Sequence, residues 1–183
     1  SDASWRRAVR YLMPGHAAAL QVFASHNSDL GGNEHDFRRE ESEQIRPALE
    51  RLLDAYCREG KREVAAASAV TEECERMIAS ADLLLASDEN PALIKEISPW
   101  LIQFKLLGEY GREVLCMLAA QCDGKKTELE KAASHAKALQ VLMKKIDATY
   151  NQNGFQPGVK TGSCHLKPAF DRLYQEVVQR TGK

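Results

Sequence analysis

The chain has 183 residues, of which 44% are hydrophobic and 28% are charged. Its 25 Lys and Arg nearly balance its 26 Asp and Glu, so we expect neither a nucleic-acid partner nor an anionic membrane surface, because both require a basic face. A folded chain of this length buries roughly 70% of the surface that its unfolded form exposes, which predicts one domain, or at most two small ones, without a disulfide or metal staple.

Apolar residues recur at spacings of three and four along nearly the whole chain, and no segment alternates between apolar and polar residues like a strand. Pro14 separates the first two predicted helices, Asn90-Pro91 begins the fifth, and Gly60 follows the end of the third. The pattern predicts an all-α bundle of about seven helices with no sheet. In chain order the predicted helices cover residues 4–13, 15–26, 41–58, 62–86, 91–122 with a break at Pro99, 126–151 and 166–180.

The fifth predicted helix carries two apolar rows. One row steps by three and four, through Leu101, Phe104, Gly108, Gly111, Leu115, Leu118 and Cys122. Trp100, Leu107 and Val114 form the second row at a spacing of seven. This breadth predicts that the helix is buried on more than one side, or against another domain. The glycines either let a neighbouring helix approach closely or admit a ligand, and we favour the close approach.

Two predicted loops, residues 27–39 and 153–165, are longer than the connections that helix bundles need. The first carries His26, Asp29, His35 and Asp36 in or beside it, a composition that could bind a divalent metal ion. Their spacing fits no tight ligand motif, and Arg38-Arg39 would oppose a cation, so we predict that these side chains cap helices and bind the backbone. We therefore predict no metal site, and both loops stay candidates for partner contact.

No catalytic or cofactor-binding residue is predicted. Cys164-His165 is the one Cys/His adjacency, but neighbours in sequence diverge along a backbone and rarely form a nucleophile–base pair. Phosphate-binding and dinucleotide-binding glycine motifs are absent from the sequence. The five cysteines are odd in number and form no C-x-x-C pair, which predicts mostly small buried hydrophobic side chains rather than a disulfide framework.

The longest stretch without a formal charge, residues 11–28, has enough length to span a membrane. It contains Pro14, Gly15, two histidines and Asn27, so we predict no membrane insertion. The chain starts without an initiator Met or a signal-peptide pattern, which we interpret as a removed leader or a piece of a longer polypeptide.

Four strings closely resemble the helical region that follows the catalytic barrel in bacterial family 84 glycoside hydrolases, the β-N-acetylglucosaminidases or O-GlcNAcase homologues. The resemblance extends from about Trp5 to about Arg172. The strings are ALQVFASHNSDLG at 19–31, RREES at 38–42, ISPWLIQFKLL at 97–107 and NQNGFQPGVKT at 151–161.

The resemblance implies a non-catalytic domain, because the family's aspartate pair lies on a barrel that this chain lacks. Residues 1–183 are then one helical bundle that follows a catalytic barrel in the same polypeptide and serves domain packing or homodimer contacts. The interface candidates are Asn27, Asp29, Arg38, Arg39 and Trp100. The resemblance also suggests a periplasmic or cell-surface location. The alternative is a free-standing helical adaptor whose long loops bind a protein partner.

Overall fold

The computed structural model describes residues 2–26, 42–152 and 166–182. Over these residues the chain forms seven α-helices and one 3-10 turn and has no strand, which confirms the predicted all-α bundle. The elements are α1 (Asp2–Leu12), the 3-10 turn (Pro14–His16), α2 (Ala17–Ser25), α3 (Ser42–Glu59), α4 (Val64–Leu85), α5 (Pro91–Cys122), α6 (Lys126–Gln152) and α7 (Leu166–Thr181).

Local sequence signals explain most helix ends. Met13 is not helical, because the residue before a proline is disfavoured in the helical region, and α1 ends before it. The Asn90 side chain accepts a hydrogen bond from the backbone N–H of Leu93 at 3.2 Å, which caps α5 ahead of its first residue, Pro91. Gly60, with φ +64°, follows the end of α3, where an L side chain would be strained.

The break predicted at Pro99 is wrong, because α5 continues through this residue. A proline inside a helix leaves the carbonyl four residues earlier without its amide donor. Here the hydroxyl of Ser98 donates to that carbonyl, the Lys95 oxygen, at 3.3 Å. The buried side chains of Ile97 and Leu101 hold the helix in the core on both sides of the proline.

The core forms around α5, which packs against α4, α6 and α7. α4 in turn packs against α2 and α3, while α1 packs mainly against α2 and the 3-10 turn. One hydrophobic cluster contains buried side chains from all seven helices. It includes the largest fully buried groups, among them Tyr56, Tyr110, Phe23 and Phe170. A helix surrounded in this way needs apolar residues on most of its faces, which explains the two rows on α5.

Candidate interface surfaces and buried polar groups

Of the predicted interface residues, the structure describes Trp100. This residue lies on α5, is half-buried and packs against the hydrophobic core. Leu107 and Val114 of the same row are buried, which confirms that α5 is covered on more than one side. The predicted interface residues that lie outside the described part of the chain are Asn27, Asp29, Arg38 and Arg39.

His26, at the end of α2, is the described member of the predicted metal-binding composition. Asp29, His35 and Asp36 lie outside the described residues, as do Cys164 and His165. The His26 side chain is 1% exposed, and its Nε2 lies 2.6 Å from Oε1 of Glu73 on α4. Within residues 2–26, 42–152 and 166–182, no group of three His, Cys, Asp or Glu side chains is placed to hold a metal ion.

Glu73 joins His26 to a charged side chain at the surface. Arg76, one turn along α4, pairs with Oε2 of Glu73, and the His26 ring also contacts the ring of Phe104 on α5. Burial raises the pKa of Glu73, but the hydrogen bond from His26 and the charges of His26 and Arg76 outweigh it and leave this pKa below its ordinary value. Among the described residues, Nδ1 of His26 has no hydrogen-bond partner. Because an ionised carboxylate can only accept, Nε2 of His26 is the donor to Glu73.

Because folding lowers the pKa of Glu73, the contribution of this residue to the free energy of unfolding should depend on pH. A carboxyl whose pKa is lowered by folding stabilises the fold above its ordinary pKa, and this contribution is lost as the pH falls through the lower, folded value. Glu73→Gln should therefore destabilise the domain by about 1–2 kcal/mol at pH 7, because a hydrogen bond to a charged group is lost. Urea denaturation at pH 7 and pH 3 measures the difference from the unsubstituted protein.

We expect this difference to shrink at pH 3, where the native carboxyl is protonated more fully. Glu72→Gln is the matched control, since Glu72 is the preceding residue on α4 and its side chain is exposed. A difference for Glu73→Gln that is the same at both pH values would contradict a role for the ionised carboxylate.

The two glycines of the α5 row lie at helix crossings, which confirms the close-approach interpretation. A Cβ atom on Gly108 would lie 2.9 Å from the carbonyl oxygen of Cys74 on α4. A Cβ atom on Gly111 would lie 2.5 Å from the ring of Phe170 on α7 and 2.8 Å from Sγ of Cys74. Real Cβ atoms do not approach other atoms so closely. Neighbouring helices therefore fill the space that a ligand would need.

A hydrogen-bonded group joins α5, α6 and α7. The hydroxyl of Tyr110 donates to Oδ1 of Asp171 at 2.6 Å and accepts from Nε2 of Gln140 at 2.9 Å. Lys167 pairs with the other oxygen of Asp171 at 2.8 Å. Burial and the Asp171 carboxylate raise the pKa of Tyr110, against a smaller opposite effect of Gln140, so the hydroxyl stays protonated and keeps donating. These hydrogen bonds orient the three helices relative to one another. The Tyr110 hydroxyl is held in them as a protonated donor and does not serve as a nucleophile.

Arg180 of α7 binds the C-terminal end of α3. Its Nη2 donates to the carbonyl oxygens of Tyr56 and Cys57 at 2.8 and 2.9 Å. The guanidinium also lies 5.1 Å from the centre of the Tyr56 ring. A cation at this end complements the helix dipole and satisfies carbonyls that have no partner within the helix. The contact therefore holds the last described helix against α3.

The described cysteines are less buried than the sequence predicts. Cys74 is buried, but Cys57 is half-buried and Cys116 and Cys122 are exposed. Exposure follows from position: Cys122 is the last residue of α5, where the helix leaves the core. Desolvation raises the pKa of all four thiols, and that of Cys74 rises to about 12. Thiols with raised pKa values are poor nucleophiles at neutral pH.

Hydrogen bonds tie the start of the chain to the loop between α4 and α5. The backbone N–H of Gly15 donates to Oε1 of Glu89 at 2.6 Å, and Nδ1 of His16 lies 2.7 Å from Oε2. The side chain of Asn90 donates to the carbonyl oxygen of Leu12 at 3.1 Å. We call Leu12, Gly15, His16, Glu89 and Asn90 the N-terminal clasp. The hydrogen bonds from His16 and Gly15 lower the pKa of Glu89, so the acceptor is ionised near neutral pH.

A helix crosses a membrane only if it is both long and apolar. None of the helices in the described part of the chain is both long and apolar enough to cross a bilayer.

The family of the chain follows from a sequence match. Residues 41–174 match the family described as "Bacterial GH84, post-catalytic domain", which covers well over half of the chain. The chain belongs to this family. This match confirms the family membership that the four sequence strings indicate. Helices α1 and α2 lie before the matched residues of this GH84 post-catalytic domain.

Two solved structures have the same fold. CpGH84B superposes with a TM-score of 0.70 at 17% sequence identity, over 94% of this chain and 27% of that chain. CpGH84D superposes with a TM-score of 0.70 at 22% identity, over 97% of this chain and 29% of that chain. The GH84 post-catalytic domain therefore spans less than a third of either of these longer chains.

Several polar contacts were missed at the level of sequence, among them His26 with Glu73, Arg180 with α3, and the N-terminal clasp. Their partners are separated by 47, 124 and more than 70 residues respectively. The spacing of single residues carries no signal for such contacts. For the clasp a partial signal existed, because Asn90-Pro91 marks a helix start at which side chains commonly bind backbone groups.

Proposed function

We propose that this chain is the non-catalytic helical domain of a β-N-acetylglucosaminidase, and that it packs against the catalytic barrel of the same polypeptide. The match to a post-catalytic GH84 family carries the proposal, since a post-catalytic domain follows a catalytic domain in one chain. The two longer chains of the same fold, CpGH84B and CpGH84D, support this arrangement. Residues 1–183 would then form one domain within a longer enzyme.

The buried groups support a structural role. The polar contacts of His26, Tyr110 and Arg180 each join different helices of the bundle. Each of these side chains is engaged by neighbours, and the glycine row is filled by neighbouring helices. These contacts orient the bundle, and a rigid bundle suits a domain that supports its neighbour. Domain packing or homodimer contacts would use surfaces such as that around Trp100, because tryptophan is enriched where interfaces bury side chains.

Activity and thermal stability of the parent enzyme test the proposal. We expect the intact parent to hydrolyse an aryl N-acetylglucosaminide and this chain by itself to give no turnover above buffer. Removing residues 1–183 from the parent should lower the thermal midpoint of the remaining catalytic domain, because an interface is exposed to water. Turnover by this chain alone would overturn the non-catalytic assignment.

The alternative is a free-standing helical adaptor that binds a separate protein. An unchanged thermal midpoint of the catalytic domain after removal of this chain would favour it. The described surface gives no specific reason to prefer it, whereas the family match favours a domain within an enzyme.

A further inference from the structure

We propose that the outward face of α1, held in place by the N-terminal clasp, is the surface on which the catalytic domain of the same polypeptide docks. The inference rests on the proposed function and adds the location of the contact. The face consists of Arg10, Tyr11 and Leu12, and all three side chains are exposed.

The C-terminal part of α1 has one side in the core and the opposite side exposed. Val9 is 1% exposed and Met13 is fully buried, and both belong to the hydrophobic core. Tyr11 lies two residues beyond Val9, which is about 200° round a helix, and it is 87% exposed. It has the greatest exposure among the exposed large hydrophobic side chains of the described residues. A tyrosine so placed adds nothing to the packing of this bundle.

The N-terminal clasp makes this face rigid. Bonds from Gly15 and His16 to Glu89, and from Asn90 to the carbonyl of Leu12, fix the turn that follows α1. Tyr11 and Leu12 are the last two residues of α1 before that turn. A surface that is ordered before binding loses less conformational entropy when it is buried, which favours its use as an interface.

The order of domains in the polypeptide identifies the occupant. In a post-catalytic domain the catalytic domain precedes the helices, and α1 is the first helix of the described part. Asp2 and Tyr11 are nine helical residues apart, or about 14 Å, so a domain joined to α1 by a short linker would lie within reach of this face. Such a covalent link raises the effective concentration of the two surfaces and allows even a small face to be occupied.

The chemistry of the face fits a protein interface with an acidic rim on the partner. Tyrosine and arginine are among the side chains enriched at the buried centres of such interfaces. Arg10 has no ion-pair partner among the described residues, although it is exposed beside Tyr11. The catalytic domain should therefore present an apolar depression for Tyr11, flanked by a carboxylate near Arg10.

Site-specific photo-crosslinking in the intact parent polypeptide tests the proposal. A photoreactive phenylalanine analogue replaces Tyr11 in one protein and Leu142 in the control. Leu142 is also an exposed hydrophobic side chain, but it lies on α6, on a different part of the bundle. After irradiation, mass spectrometry identifies the peptides joined to each position, and a dilution series separates contacts within one polypeptide from contacts between two.

We expect position 11, but not position 142, to join peptides of the catalytic domain independently of protein concentration. Tyr11→Glu should also lower the thermal midpoint of the intact polypeptide by several degrees, whereas Leu142→Glu should leave it unchanged. Adducts from position 11 to another molecule would identify a second copy as the occupant and overturn the proposal. Adducts to the catalytic domain from position 142 alone would overturn this location but leave the proposed function standing. Absence of adducts from either position, with no loss of stability on removing the domain, would overturn both.

Discussion

Gly108→Leu should destabilise the domain by about 3 kcal/mol, because it overpacks the crossing between α4 and α5. The first atom of the new side chain would already lie 2.9 Å from the carbonyl oxygen of Cys74 and 3.0 Å from Cγ1 of Ile78. A backbone carbonyl cannot rotate away as a side chain can, so the two helices must separate. The helix propensity of leucine, better than that of glycine by somewhat under 1 kcal/mol, offsets only part of this cost.

Urea denaturation followed by circular dichroism measures the effect. Ala138→Leu is the control, since Ala138 is exposed on α6 and a surface substitution usually changes stability by less than about 0.5 kcal/mol. A denaturation midpoint of Gly108→Leu equal to that of the unsubstituted protein would mean that this face of α5 is open. The interpretation of the glycines as a ligand site would then become the better one.

The helices of this domain could be predicted from sequence because burial of one helix face imposes a period. The row through Leu101, Phe104, Gly108 and Leu115 is buried as its spacing of three and four predicts. Pro14 divides α1 from α2 as predicted, because the residue before it cannot stay helical. In each case the cause acts within a few residues of the chain, where the sequence displays it.

The errors and omissions arise where packing between distant segments decides the outcome. Pro99 does not end α5, because the helices around it hold its neighbours in the core and Ser98 binds the carbonyl that the proline leaves without a donor. The pairing of His26 with Glu73 and the binding of Arg180 to the end of α3 join residues that no local pattern relates. The exposure of Cys116 similarly depends on which helices surround α5. Tertiary contacts of this kind require the arrangement of helices as well as their positions in sequence.

The interface is the part of the candidate site that is hardest to predict from sequence. Four of the five predicted interface residues fall outside the described residues, and Trp100 is half-buried in this domain. The sequence alone does not show how exposed Tyr11 is. Its spacing from Val9 and Met13 indicates that it lies off the buried side of α1, but not whether another element covers it. Its exposed fraction of 87% becomes visible when α1 is placed against α2. A sequence pattern predicts which side of a helix is buried but not which exposed side binds a neighbour.

Phe170→Ala should destabilise the domain by about 3–5 kcal/mol, because it removes a fully buried aromatic side chain. The ring packs edge-to-face on Tyr110, with a centroid distance of 6.3 Å, and lies directly over Gly111. Gly111→Ala should also be destabilising by itself, because its Cβ would lie 2.5 Å from the Phe170 ring. The two losses should not add. Phe170→Ala removes the ring that a Cβ on Gly111 would contact, and Gly111→Ala fills part of the space that the ring leaves.

A double-mutant cycle measures this coupling. The double variant should be more stable than the sum of the single losses by at least about 1 kcal/mol, since the methyl group enters the space left by the ring. Phe170→Leu provides a second cycle with a smaller initial loss, in case Phe170→Ala does not fold. Gly108→Ala combined with Phe170→Leu is the control, and it should be nearly additive because the atoms nearest Gly108 belong to Cys74, Met77 and Ile78 of α4. Additive losses at Gly111 would contradict this packing. They would show that Phe170 of α7 does not contact α5 at Gly111 as closely as the structure indicates.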